Sequence, residues 1–312
     1  MSFSEHATTF AGLPVVDLEA GQPLPAVDGP VAWRFEHWDY DGDDEYEPSP
    51  TFAASFAELL DGIDTAAVRA LVVGSWGYAA FNDAPIAQLC AAADRLTGLE
   101  ALFLGDITGE ECEASWIRLG DITPLLRSYP RLRVLRVRGT LELRLSPVRH
   151  ANLRELAFES GGLPGHVLGA VLDSDLPALE RLELWLGVRD YGGDIGIADL
   201  EPLLAGGRFP ALRRLGLRNA EIADRIAAAL AGAPVVGRLD ELDLSLGVLG
   251  DDGAEALLAG QPLTHLRRLD LHHSFLSPPF AARLVEELPG VDVDVSEPQV
   301  EREWGRYTAV SE

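Results

Sequence analysis

Lysine is absent: every one of the 25 basic residues in this 312-residue chain is arginine. That excludes a lysine Schiff base and a Walker-type phosphate loop, whose lysine reaches the phosphates. Cysteine is almost absent. Cys90 and Cys112 form neither a metal-ligand spacing nor a disulfide framework, and a reducing cytoplasm suits them best. No apolar run approaches the ~20 residues that a membrane helix requires. The opening residues, MSFSEHATTFAGLPVV, have no basic stretch and no long apolar stretch, so no signal peptide is expected. Positive charge is scarce beside 50 acidic residues, leaving a net charge of −25. Such a chain repels phosphate backbones and anionic lipid, so nucleic acid and membrane are not expected partners.

Apolar residues are plentiful, at 47% of the chain, enough for a sizeable core. The heavy use of Ala, Arg, Gly and Pro matches a GC-rich bacterial genome. The apolar residues also repeat. LEALFLGD from Leu99, LRVLRVRG from Leu132, LRELAFES from Leu153 and LERLELWLG from Leu179 all read L-x-x-L-x-L. So do LRRLGLRN from Leu212, LDELDLSLG from Leu239 and LRRLDLHH from Leu266. VRALVVGS from Val68 and GVDVDVS from Gly290 are weaker copies. Their fourth positions are Leu71, Leu102, Leu135, Leu156, Leu182, Leu215, Leu242, Leu269 and Val293, spaced 21 to 33 residues apart. Tandem self-similarity at that period indicates a repeat array.

Alternate side chains of an extended strand face opposite ways. The fourth and sixth positions therefore point into the core, and the third, fifth and seventh point out. Between copies run stretches such as ADLEPLLAG and DGAEALLAG, whose apolar residues recur at three- and four-residue spacing, as an amphipathic helix requires. One copy cannot bury its own apolar face, whereas stacked copies bury all of them together.

The segment LDELDLSLGVLGDDGAEALLAG, Leu239 to Gly260, resembles a leucine-rich repeat of the ribonuclease-inhibitor type. The resemblance implies an α/β solenoid, a horseshoe with a parallel sheet on the concave face and helices on the convex face. ECEASWIRLGD, ESGGLPG, LELWLGVRDYGG and LDLHHSFLS are similar to a narrower, uncharacterised actinobacterial leucine-rich repeat family, which implies no activity. The ninth repeat position, ordinarily Asn or Cys, holds Ala220, Gly247 and Ser274 here, a departure that bears on curvature more than on fold.

Residues 1–65 lie outside the repeat and are expected to form an N-terminal α+β cap, with an aromatic strand, an acidic loop (Glu36, Asp39, Asp41, Asp43, Asp44, Glu45, Glu47) and an amphipathic helix from Thr51. Residues 66–296 form the solenoid of about nine repeats, and residues 297–312 a tail.

Outward columns can be read across repeats, because neighbouring strands stand ~4.8 Å apart. The middle of the concave face alternates Arg and Glu, as cross-strand ion pairing explains. Its C-terminal end collects Glu241, Asp243, Asp270, Asp292 and Asp294, with His272 at the edge. Like charges side by side destabilise a sheet, so this patch is a candidate binding surface. Carboxylates with an imidazole also suit a divalent cation, but extended strands rarely converge ligands, and no metal, cofactor or catalytic residue is expected. His273, next to His272, faces the opposite way or enters the turn. Cys112 sits between Glu111 and Glu113, which raise a thiol pKa, so it is not a nucleophile.

The longest repeat intervals coincide with aromatic residues. Trp76, Tyr78 and Phe81 follow the first repeat strand, Trp116 lies in the next insertion, and Trp185 and Tyr191 belong to LWLGVRDYGG. Rim insertions carry function more often than strands do. Trp76, Tyr78, Trp116, Trp185 and Tyr191 are therefore candidate binding residues, with loop packing as the competing explanation. The expected function is non-enzymatic protein binding through the concave sheet and the rim aromatics, with acidic steering toward a basic partner. The alternative is an enzyme or enzyme accessory that uses the acidic patch, with or without a metal.

Overall fold

The computed structural model describes residues 4–18, 22, 25–38, 51–303 and 305–311. Its strands are β1 (Thr9–Phe10), β2 (Leu13–Leu18), β3 (Ala32–His37), β4 (Ala70–Trp76), β5 (Ala101–Leu104), β6 (Val134–Arg138), β7 (Glu155–Glu159), β8 (Arg181–Gly187), β9 (Arg214–Ala220), β10 (Glu241–Asp243), β11 (Arg268–Asp270) and β12 (Asp292–Asp294). They form one open sheet in chain order. Only the β1–β2 pair is antiparallel among the described residues. The helices are α1 (Phe52–Gly62), α2 (Ile86–Ala91), α3 (Thr123–Ser128), α4 (Gly165–Asp173), α5 (Ile197–Leu204), α6 (Ala223–Leu230), α7 (Asp251–Leu258) and α8 (Pro278–Glu287). The protein is an α/β leucine-rich repeat solenoid.

The leucine pattern sets the register. Leu71, Leu102, Leu135, Leu156, Leu182, Leu215, Leu242, Leu269 and Val293 pair strand to strand in a single row. Every leucine of that row is buried, and Val293 at the sheet edge is half-buried. In the copies from Val68 to Leu266 the first and sixth positions join the same core, as in Leu212 and Leu217. Truncating one such leucine to alanine costs roughly 2–5 kcal/mol, because the stacked neighbours cannot collapse into the hole. The helices close the opposite side with their apolar stripes, such as Leu200, Leu203 and Leu204 of α5. Thr51 and Ser277 cap α1 and α8 by accepting from backbone amides, as short polar side chains at helix starts do.

Parallel pairing begins at β2, so part of the segment expected as a cap contributes strands to the repeat sheet. The β3–α1–β4 run has the strand–helix–strand order of a repeat. Glu36, expected in the acidic loop, is part of β3, and the rest of that stretch, Asp39 to Glu47, lies outside the described residues.

Five copies carry a left-handed residue at the eighth position: Gly139, Asn219, Leu246, His273 and Glu297 all have φ between 52° and 126°. Asparagine and glycine adopt that conformation at least cost. His273 thus enters the turn.

The concave side is not open along its length, as the alternating pattern alone implied. At one end, outward-facing Ala70, Val72, Ala101 and Phe103 are covered by Ala7 and Phe10, which form a second apolar cluster with them. The Phe10 and Phe103 rings lie 5.7 Å apart. In the middle, Val310 packs with Trp185, Leu246 and Ala114. Both chain ends therefore return to the concave face.

Candidate functional site

The acidic column at the C-terminal end has a local cause. Asp243 accepts from the backbone N–H and hydroxyl of Ser245 at 3.0 and 2.5 Å. Asp270 accepts from the backbone N–H and Nδ1 of His272 at 3.1 and 2.6 Å, and Asp294 does the same with Ser296. In three successive repeats a fifth-position aspartate thus binds the residue two ahead, the Asx turn that short carboxylates form readily. Arginines complete the neutralisation. Arg268 reaches Asp270, Asp294 and Asp292 at 2.9, 2.6 and 2.6 Å. Arg218 lies 3.1 Å from Asp243, and Arg214 and Arg267 flank Glu241.

These surroundings drive neighbouring carboxyls apart. Burial pushes Asp243 up, with adjacent Asp270 adding to it and Arg218 opposing. Burial also acts on Asp270, but hydrogen bonds from His272 and Arg268 prevail and hold it well below the usual carboxylate range. Asp270, His272 and Asp294 bring potential ligand atoms within 4.8 Å of one another. The Nη2 of Arg268 already bridges both aspartates, however, so a second cation there would face a fixed positive charge.

Beside this patch, a buried ion ladder runs across the sheet. Arg136 and Arg138 of β6 hold Glu159 of β7 at 2.5 and 2.8 Å, and Arg218 of β9 holds Glu183 of β8 at 2.8 Å. Burial disfavours both charged glutamates, yet Arg138 and Arg136 keep Glu159 low and Arg218 and Arg136 keep Glu183 low. Paired and hydrogen-bonded, these charges cross-brace the strands; removing one partner would strand the other. Gly216 leaves a hollow of about 170 Å³ between Glu183 and Asp243, walled by Arg181, Arg214, Glu241 and Arg268. A larger cavity of about 460 Å³ lies among Trp185, Leu246, His272, His273, Val310 and Glu110.

The aromatic candidates divide by exposure. Trp76 is the last residue of β4; it is 3% exposed and donates to Asn82 O. Trp185 is 2% exposed and sits on the concave face of β8 rather than in the rim loop. There Arg218 covers its ring and its Nε1 donates to Glu183. These two side chains pack the scaffold. Tyr191 is half-buried in a short turn of 3₁₀ helix. Tyr78, Phe81 and Trp116 stand 52%, 80% and 51% exposed, and Trp38, which sequence patterning did not single out, is 39% exposed. These four follow the same ends of the adjacent parallel strands β3, β4 and β5. Backbone hydrogen bonds Gly77 N→His37 O and Arg118 N→Ala79 O tie their loops together. The Tyr78 and Phe81 rings are 5.2 Å apart. Exposed aromatic residues thus stand on three neighbouring loops along one rim of the sheet, with Tyr78 and Phe81 the pair in ring contact.

No protein-family model matches the chain, and no curated protein does. Among solved structures, a Bacteroides fragilis protein determined by a structural-genomics consortium is 33% identical, with a TM-score of 0.76, over 81% of this chain and 73% of that one. An internalin from Listeria monocytogenes is 15% identical with a TM-score of 0.36, over 78% of this chain and 70% of its own; so loose a superposition carries no argument. No helix among the described residues is long and apolar enough to cross a membrane.

Proposed function

We propose, for a chain that belongs to the same family as the Bacteroides fragilis protein, that it is a non-enzymatic module which binds a protein partner through its aromatic rim. The observation that carries this reading is the exposed row of Trp38, Tyr78, Phe81 and Trp116 on three hydrogen-bonded loops. Monomeric surfaces rarely hold large aromatics together without use, and Trp and Tyr supply much of the energy at interfaces. The net charge of −25 favours a partner with a basic surface, attracted before contact. The free thiols Cys90 and Cys112 support a reducing compartment such as the cytoplasm. The strand–helix alternation supports the ribonuclease-inhibitor type of repeat.

The test is affinity capture with three baits: the wild type, a Phe81→Ser/Trp116→Ser double variant, and Val300→Ser as an exposed control elsewhere. Partners should be retained by the wild type and the control, lost by the double variant, and weakened by salt. Identical capture by all three baits would refute the rim as the binding surface.

A further inference from the structure

Three side chains far apart in sequence meet where residues 4–10 cross the ends of β3 and β5. One ring nitrogen of His6 and one carboxylate oxygen from each of Glu36 and Glu111 lie within 4.8 Å of one another. The ring is oriented from outside this cluster. His6 Nδ1 stands 3.0 Å from the carbonyl oxygen of Asp106. A carbonyl can only accept, so Nδ1 carries a proton and donates it. Nε2 then faces Glu111 Oε1 at 3.1 Å. In the neutral ring Nε2 is a lone pair, and it confronts another lone pair unless positive charge lies between them.

Glu36 supplies an independent observation. Its Oε2 is buried and has no hydrogen-bond partner. The oxygen rests over Gly74, where a Cβ would stand only 2.9 Å away, so the missing side chain makes room for it. Nearby arginines do not relieve it. Arg34 and Arg138 approach Asp106, at 3.3 and 3.9 Å, and among the described residues no arginine pairs with Glu36 or Glu111. Glu111 is held instead by the backbone N–H and hydroxyl of Thr108 at 2.6 and 3.0 Å, both on Oε2, which leaves Oε1 for the cluster.

A protonated imidazole would satisfy Glu111 but leave Glu36 Oε2 orphaned. A divalent cation among the three matches the charge of both carboxylates, which a protonated imidazole does not. We propose that His6 Nε2, Glu36 and Glu111 bind one divalent transition-metal ion of the zinc class. Nitrogen and carboxylate donors about 2.0–2.2 Å from such an ion stand roughly 3.3 Å apart when tetrahedral, close to the Nε2–Oε1 separation already present. The Asp106 carbonyl is the outer partner that metal-bound histidines use to fix their tautomer. All three ligands are partly exposed, so the ion can enter and a fourth position stays open to water. Binding would clamp residues 4–10 to β3 and to the insertion after β5. The proposal does not depend on the function proposed for the aromatic rim.

The experiment uses tag-free protein stripped with chelator, titrated calorimetrically with Zn²⁺ and by visible absorbance with Co²⁺. One ion per chain is expected at micromolar or tighter affinity, with a rise in Tm on saturation. His6→Ala and Glu36→Gln should each weaken binding at least tenfold; the second keeps the side chain's size, so its folding is not at issue. Asp294→Asn should leave binding unchanged. No stoichiometric uptake, or uptake that survives both His6→Ala and Glu36→Gln, or uptake lost in Asp294→Asn alone would overturn the proposal.

Discussion

Asn219 joins the middle of the sheet to the end of the chain, and its loss has a calculable cost. The residue is fully buried in a left-handed turn, with φ at 52°. Its amide accepts from Val310 N at 2.9 Å and donates to Val310 O at 2.5 Å and to Ser160 O at 3.2 Å. Asn219→Ala removes all three bonds, at about 1 kcal/mol each, with the Val310 amide left buried and unpaired. It also places alanine where φ is positive, which costs about 1 kcal/mol more. The expected loss is roughly 3–4 kcal/mol by urea denaturation. Asn219→Gly loses the same bonds without the backbone strain and should be destabilised by about 1 kcal/mol less. Hydrogen exchange at Ala309 and Val310 should accelerate in both variants, and acrylamide should reach Trp185 once Val310 lifts away from it. A loss under about 1 kcal/mol in Asn219→Ala, with the Val310 amide still protected, would refute the clasp.

Arg268→Met should leave Asp270, Asp292 and Asp294 in mutual repulsion. The loss is about 1 kcal/mol at low salt, discounted because the guanidinium is partly exposed, and added salt should recover part of it in a melting series. His273 is held below its usual value, first by burial. The unfolded chain then binds its proton before the folded one does, so stability should fall as pH drops below about 6.5. His273→Asn should flatten that part of the urea-midpoint profile. Asp270, held low, stabilises fully above about pH 4, and its contribution should vanish only as pH falls further, through its folded value. Burial, then Glu113 and Glu111, pushes the Cys112 thiol up to about 11. At pH 8 it should react with a disulfide reagent on the order of a hundredfold more slowly than a free thiol; an Ellman time course with Cys90→Ser reads this directly.

The leucine row was legible because its chemistry is periodic: leucine in eight places and valine in a ninth, all in one register. The same columns held a sign that they do not suffice for the concave face. Ala70, Val72, Ala101 and Phe103 face outward yet are apolar, and apolar outward residues require a cover. The cover, Ala7 and Phe10, lies outside the repeat, so spacing could not supply it. Arg268 stood in the third-position column beside three aspartates, and its reach across strands was the missing neutralisation. Trp185 occupies an outward seventh position, which placed it on the strand; reading it as part of the rim loop gave its proximity to Tyr191 too much weight. His6, Glu36 and Glu111 carry no spacing signal at all, since only the return of residues 4–10 onto the sheet brings them together.

Stacked repeats ordinarily behave as a one-dimensional array, in which each unit answers only to its neighbours and terminal units fray alone. Here Val310 is bonded to Asn219, 91 positions away, and Ala7 to Asp106, 99 positions away. Such ties forbid independent fraying. Melting should be a single cooperative event rather than an unzipping from either side, and folding should be slowed by the long closures it must complete.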